Sequence, residues 1–237
     1  MFAEYTKITD ITGPIHDGMW SYGPPFPEYR LKQLEQPAWV PYKVNCELYE
    51  GLNSQTGTYF ETPGHFPEAG NVYFVEDIPF ERLIDIPCSI IKLQGDYYSE
   101  NRRKITGEEL QCAAEGLPVK EGGALLICSN WGGHWSEPCY LSASPYFSYE
   151  AMMYLLEFKP FLMGSDMPRW DNLDDPQGFF SHFYARNVTM LGPCVRLEAL
   201  PPTGLLSVLP LAVAKSCCVP CRAFVRHNRA DDDAIKE

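Results

Sequence analysis

Short apolar runs recur along the chain, and each is bounded by glycine, proline or polar residues. Runs of about four to eight apolar residues are typical of buried strands, whereas a core helix needs a longer segment with a 3.6-residue period. We therefore predict six strands, at residues 88–93, 124–129, 161–164, 188–191, 206–209 and 223–226.

Two segments instead carry the signals of a helix. Residues 106–115 begin with Thr106, and Glu109 follows three positions later, which is the pattern of a capping box. Residues 148–158 begin with Ser148 as the cap and place apolar residues at helical spacing. Because a strand-like run follows each helix, the pattern predicts a mixed α/β fold.

The distribution of proline and glycine gives no sign of a domain boundary. The 21 prolines and 18 glycines are spread along the whole chain, so its 237 residues favour a single domain over 1–237. The polar stretch 229–237 is expected to be a flexible tail. The chain through about residue 75 is rich in aromatics, glycine and proline, which predicts strands and long loops and argues against a doubly wound nucleotide-binding sheet.

Charge and composition narrow the classes of partner. A formal net charge of -12 opposes binding to nucleic acid. The chain contains no run of about 18 apolar residues and no signal-peptide pattern, so we expect a cytoplasmic protein without a membrane partner. Nine cysteines at irregular spacing suit a reducing compartment better than a disulfide framework.

The most informative motif lies at residues 54–66, which read Ser-Gln-Thr-Gly-Thr-Tyr-Phe-Glu-Thr-Pro-Gly-His-Phe. This segment resembles the signature His-x-Gly-Thr-His-x-Asp-x-Pro-x-His of the cyclase family, which includes kynurenine formamidases and isatin hydrolases. The residues that match are Gly57, Thr58, Pro63 and His65. The residues that replace the family's two histidines and its aspartate are Gln55, Tyr59 and Glu61.

The resemblance continues in the same order along nearly the whole chain. It implies the family's swivelling β/β/α fold, with mixed sheets and a few helices, and it implies a homodimer or homotetramer. The further matching segments are 8–19, 129–131 with Trp135, 145–148, 164–168 with Asp171, and 209–211 with 221–223.

The resemblance also implies a metal site. His182 matches the family's downstream histidine, and Cys194 falls where relatives carry a glutamate. Carboxylate, imidazole and thiolate all bind zinc, so Glu61, His182 and Cys194 are predicted to hold a single divalent metal, zinc or manganese. The alternative is a hydrogen-bonded polar pocket without metal, in which Cys194 serves only as packing.

On catalysis, the resemblance implies a hydrolase that cleaves a C–N bond in a small amide, a cyclic amide or an N-formyl compound. Glu61 and His65 are the expected acid–base residues, and Tyr59 is the expected hydrogen-bond donor to a carbonyl oxygen. A metal-free lyase, dehydratase or isomerase that uses the same groups is one alternative. A non-catalytic member that binds a small molecule is another.

A small-molecule substrate is the expected partner. Flat rings suit a planar substrate, and Arg169 can pair with a substrate carboxylate. The predicted substrate-binding residues are Gln55, Trp20, Trp131, Asp166 and Arg169.

Two other motifs are weaker. Cys218 and Cys221 have C-x-x-C spacing but no second pair, which favours structural cysteines over a metal knuckle. His134 lies between two glycines and Trp135, where a solvent-facing loop histidine is expected more often than a pocket residue.

Overall fold

The computed structural model describes residues 6–95, 97–99 and 101–228, so the predicted tail 229–237 lies outside the described residues. The helices are α1 (Gly107–Ala113), α2 (Tyr149–Glu157) and α3 (Phe180–Ala185). The strands are β1 (Thr6–Asp10), β2 (Arg30–Leu34), β3 (Cys46–Glu50), β4 (Tyr59–Glu61), β5 (Ile86–Lys92), β6 (Lys104–Ile105), β7 (Ala124–Cys128), β8 (Tyr146–Phe147), β9 (Leu162–Ser165), β10 (Thr189–Gly192), β11 (Thr203–Pro210) and β12 (Cys218–Asn228).

A closed mixed sheet forms the centre of the fold. Its eight strands follow the order β1-β12-β11-β5-β7-β9-β10-β4, and β4 also pairs with β12, so every strand except β1 belongs to a closed barrel. The pairs β5–β7, β7–β9 and β9–β10 are parallel, and the remaining pairs are antiparallel. Strands β2 and β3 form a separate, largely exposed hairpin. The predicted mixed α/β fold is confirmed.

The six predicted strands and both predicted helices are present, with boundaries shifted by a few residues. The capping box of α1 forms as expected: Thr106 Oγ1 accepts from the Glu109 amide at 3.2 Å, and Glu109 Oε2 accepts from the Thr106 amide at 2.8 Å. At the start of α2, Ser148 Oγ accepts from the Ala151 amide at 3.1 Å. These side chains satisfy amides that would otherwise lack a partner at the helix start.

Alternation along the strands separates two apolar clusters on opposite faces of the sheet. The interior cluster fills the barrel and includes Phe60, Leu191 and Val219. The neighbouring residues in the same strands face the other way, and Tyr59, Met190 and Cys218 belong to the cluster under the helices. The sheet face on which a residue lies therefore decides whether it can reach a site outside the barrel.

Helix α3 was not predicted from the sequence. It is only six residues long, and its cap residue, Phe179, makes no side-chain hydrogen bond to the first turn. The helix forms because Phe183 and Tyr184 pack into the cluster outside the barrel, so tertiary packing replaces the missing cap signal. No helix within the described ranges has the length and apolar composition needed to cross a membrane.

Candidate functional site

A cavity of about 540 Å³ lies against the outer face of β4 and β10. This volume suits a small organic molecule, because ligand pockets in proteins span about 300–1,000 Å³. Its apolar walls include Phe66, Met167, Trp170, Phe180 and Met190. Its polar lining consists of Tyr22, Gln55, Tyr59, Glu61, His65, Arg169 and Tyr184.

Strand β4 places two of these polar side chains in the cavity. Phe60 points into the barrel, so Tyr59 and Glu61, on either side of it, point outward. In the strand register, Glu61 lies opposite Met190 of β10 and Cys218 of β12. A carboxylate is thus held in the middle of a sheet, between two apolar or weakly polar side chains.

Glu61 is the one acidic residue in the described lining of the cavity. Its side chain is 1% exposed, and Tyr184 donates a hydrogen bond from its hydroxyl to Oε1. Burial raises the pKa of Glu61, although the charge of His65 and the hydrogen bond from Tyr184 oppose that rise. Oε2 accepts no hydrogen bond of standard geometry within the described ranges. It lies 3.7 Å from Nε2 of His65, whose side chain is 41% exposed.

A chain of hydroxyls runs along the wall of the cavity. Tyr22 donates its only hydroxyl proton to the carbonyl oxygen of Pro168 at 2.7 Å. The 3.2 Å contact between the hydroxyls of Tyr22 and Tyr59 is therefore donated by Tyr59. Burial raises the pKa of Tyr59 well above its ordinary value, so this phenol stays protonated and remains a hydrogen-bond donor.

Tyr184 is the functional residue that the sequence interpretation missed. It lies on α3, stacked between Phe66 at 5.8 Å and Phe180 at 5.9 Å between ring centroids. The only sequence signal was indirect, since Tyr184 lies two positions after His182, which had been matched to the family's downstream histidine. Residues two apart on a helix point in directions about 200° apart, so only one of them can face the cavity.

The predicted metal site of Glu61, His182 and Cys194 does not form. His182 is exposed on the opposite side of α3 and meets the ring of Tyr149 at 5.8 Å. Cys194 is fully buried in the barrel interior, where it packs with the interior cluster. Because Glu61 lies on the other face of the sheet, the three ligands cannot meet at one ion.

The donor atoms around Glu61 do not fit a divalent metal either. Besides Glu61 and His65, the surrounding groups are the amide of Gln55, two phenols and the thiol of Cys218. Burial raises the pKa of the Tyr59, Tyr184 and Cys218 side chains well above their ordinary values, so each would supply an anionic ligand only if a metal displaced its proton. Glu61 and His65 then remain as the two ready ligands, whereas zinc sites in proteins use three or four protein ligands.

Of the predicted substrate-binding residues, two line the cavity. Gln55 lies near the carboxylate of Glu61, and Arg169 follows Pro168, which also lines the cavity. The guanidinium of Arg169 forms no ion pair with an acidic side chain in the described part of the chain. Its charge is thus available to a ligand.

The other three, Trp20, Trp131 and Asp166, lie behind the cavity wall rather than in its lining. Trp131 is buried and donates from its indole nitrogen to a backbone carbonyl at 3.0 Å. The buried carboxylate of Asp166 accepts from the amide and the hydroxyl of Ser129 at 3.0 and 2.8 Å. Trp20 packs edge-on against Tyr22 at 5.4 Å. These contacts support the wall, and none of these three residues belongs to the lining of the cavity that contains Glu61.

Comparison with solved structures shows the same fold. An isatin hydrolase bound to the product analogue thioisatinate is 19% identical, with a TM-score of 0.79 over 95% of this chain and 94% of that one. Isatin hydrolase A from Labrenzia aggregata, bound to benzyl benzoate, is 20% identical, with a TM-score of 0.76 over 94% of each chain. A predicted metal-dependent hydrolase from Bacillus stearothermophilus is 20% identical, with a TM-score of 0.69 over 93% of this chain and 98% of that one.

Sequence comparison identifies the family. No curated protein matches the chain. The model of the Cyclase family matches residues 9–172, which is more than half of the chain and includes the whole of the 54–66 motif. The chain therefore belongs to the Cyclase family.

Proposed function

We propose that the protein hydrolyses a C–N bond in a small amide, a cyclic amide or an N-formyl compound. The observation that carries the proposal is the buried carboxylate of Glu61 in the cavity lining, whose Oε2 lies 3.7 Å from Nε2 of His65 and accepts no standard hydrogen bond from the residues that the structure describes. A carboxylate with a raised pKa is suited to accept a proton near neutral pH. The structural relatives named as isatin hydrolases support the same class of reaction.

The reaction follows from the placement of these groups. Water transfers a proton to Oε2 of Glu61 while its oxygen forms a bond to the substrate carbonyl carbon. When the C–N bond then breaks, Glu61 passes this proton to the leaving nitrogen through His65, whose Nε2 lies 3.7 Å from Oε2 of Glu61. Water is consumed, an acid and an amine are formed, and Glu61 returns to its starting state.

The substrate that fits best is planar and carries a negative charge. The cavity walls are aromatic and apolar, and Arg169 supplies a cation that no acidic side chain of the described ranges neutralises. A carboxylate on the substrate would satisfy that guanidinium through charge-assisted hydrogen bonds. An amidase of the kynurenine formamidase type, which the resemblance to the family implies, is therefore part of the proposal.

The proposal is tested with a panel of lactams and N-formyl aromatic amines, each in a neutral and a carboxylate form. We expect turnover that is retained after treatment with a chelator, because the donor atoms at Glu61 do not suit a metal. The measurement is the rate of product formation by liquid chromatography before and after chelation. Activity that is lost on chelation and restored by zinc or manganese would contradict the metal-free mechanism.

Proton transfer at carbon is a second candidate, favoured by the pairing of a buried base with protonated tyrosines. In a lyase, dehydratase or isomerase, Glu61 would take a proton from carbon and Tyr59 would polarise the adjacent carbonyl. Product analysis in water labelled with ¹⁸O separates the candidates, because only hydrolysis places the label in a new carboxylate. Binding without any turnover would indicate a non-catalytic small-molecule binder.

Tyr184→Phe is predicted to move the pH profile of the reaction. The hydroxyl of Tyr184 stabilises the charged form of Glu61, so its loss raises the pKa of that carboxyl further. The base acts when it is deprotonated, and the acid limb of kcat/KM against pH is therefore expected at higher pH in the variant. Activity at neutral pH falls and recovers as the pH is raised. An unchanged acid limb would mean that Tyr184 does not act through Glu61.

We also propose, from the resemblance to the family, that the protein is a homodimer or homotetramer, and, from its nine irregularly spaced cysteines, that it works in the reducing cytoplasm. Light scattering on the purified chain gives its mass in solution directly. A monomer at micromolar concentration would contradict this part of the proposal.

A further inference from the structure

A second group of chemically reactive side chains lies away from the cavity, on the segment 131–140. His134, Glu137 and Cys139 each offer one ligand atom, and the three atoms lie within 4.8 Å of one another. Nδ1 of His134 is 2.8 Å from Oε2 of Glu137, and the sulfur of Cys139 is 3.5 Å from the same oxygen. None of the three residues lines the cavity that contains Glu61.

The backbone that carries these three side chains is firmly anchored. Trp131, Trp135 and Tyr140 are almost fully buried, and the indole nitrogen of Trp131 donates to the Tyr140 carbonyl at 3.0 Å. Two successive turns bring the ligands to one side, since the Glu137 amide donates to the His134 carbonyl at 2.8 Å and the Tyr140 amide donates to the Glu137 carbonyl at 3.1 Å. The segment is therefore held in place without help from a metal.

The ring of His134 is oriented as well. It packs on the indole of Trp131 with 4.4 Å between ring centroids, while its Nδ1 points to Glu137. The His134 side chain is 32% exposed, so an ion can approach from solvent. An ion pair between His134 and Glu137 would account for these two residues alone, but it would not account for the thiol of Cys139 directed at the same oxygen.

We propose that His134, Glu137 and Cys139 form a zinc site, with water as the fourth ligand. Imidazole nitrogen, carboxylate oxygen and thiolate sulfur are the ligands that zinc takes in proteins, whereas magnesium and calcium prefer oxygen alone. In a tetrahedral zinc site, neighbouring ligand atoms are about 3.3–3.7 Å apart, so the observed group needs only small side-chain movements. Binding releases the thiol proton of Cys139 to solvent, because zinc takes the thiolate.

The site can be tested on the full chain without any measurement of activity, so its outcome is independent of the proposed hydrolysis. The metal-stripped protein is titrated with Co²⁺, which reports a thiolate ligand by a charge-transfer absorption band, and zinc is then added to displace it. We expect one Co²⁺ per chain, a thiolate band, and full displacement by an equivalent of zinc.

Cys139→Ser and His134→Ala identify the ligands. Cys139→Ser is expected to abolish the thiolate band, and each variant is expected to weaken zinc binding at least about tenfold. Cys112→Ser and His182→Ala are matched controls, because both residues are exposed and lie outside the group. Circular dichroism checks that each variant is folded. A band that survives in Cys139→Ser, equal zinc affinity in all variants, or no zinc binding by the unaltered chain would each overturn the proposal.

Discussion

Glu61→Gln is expected to lower kcat about 10²–10⁴-fold while leaving the protein folded. General acid–base groups contribute rate factors of this size, and glutamine has nearly the same shape but cannot accept the proton of the attacking water. The substitution is tolerated in the fold because burial already disfavours the charged form of this side chain. The amide oxygen can still accept the hydrogen bond from Tyr184. The measurement is steady-state kinetics, with thermal unfolding of both proteins.

The matched control is Glu68→Gln, an exposed glutamate shortly after the same strand. It loses the same charge, so any long-range effect of charge on the rate would appear there as well. We expect it to behave as the unaltered protein. If Glu61→Gln retained kcat within about threefold, the general base would have to be another group, since loss of such a base costs at least about 10²-fold.

The pH dependence of the unaltered protein follows from the same carboxyl. Glu61 acts as a base only when deprotonated, so kcat/KM should rise with pH through its pKa. Burial raises that pKa, and the acid limb is therefore expected above the ordinary glutamate value of about 4.3.

Much of the fold could be predicted because the signals are local. The apolar runs of β5, β7 and β9 and the caps Thr106 and Ser148 act within a few residues of sequence, and the structure confirms them. The 54–66 motif likewise predicted that Tyr59 and Glu61 lie together in a site. Two-residue alternation in β4 then places both on the outer face, because Phe60 between them fills the barrel.

The rest of the site depends on sheet faces, helix rotation and strand pairing, which cannot be inferred from the spacing of residues along the chain. The match of Cys194 to the family's glutamate rests on its spacing from His182 along the sequence. That spacing does not show that Cys194 lies on the interior face of the sheet. Whether His182 or Tyr184 faces the cavity depends on the rotation of α3 about its axis, and α3 has no cap residue from which the sequence could locate its start. Cys218 was interpreted as structural, although the pairing of β12 with β4 sets it opposite Glu61.

Tyr59→Phe is expected to lower kcat about 10²–10³-fold with little change in KM. Removal of a single donor to a developing oxyanion costs about this much. In the free protein, Tyr59 donates to the hydroxyl oxygen of Tyr22, whose own proton is committed to the Pro168 carbonyl. Bound substrate offers Tyr59 a better acceptor as negative charge builds on its carbonyl oxygen, so the hydrogen bond matters most in the transition state.

Tyr22→Phe separates this role from support of the cavity wall. That variant leaves the phenol of Tyr59 in place and removes only its resting acceptor, together with the hydrogen bond that holds Pro168. We therefore expect Tyr22→Phe to raise KM while kcat changes little, which is the opposite of the pattern for Tyr59→Phe. Equal losses of kcat in both variants would show that the two tyrosines act as one structural unit, and undiminished turnover in Tyr59→Phe would rule out its role as an electrophile.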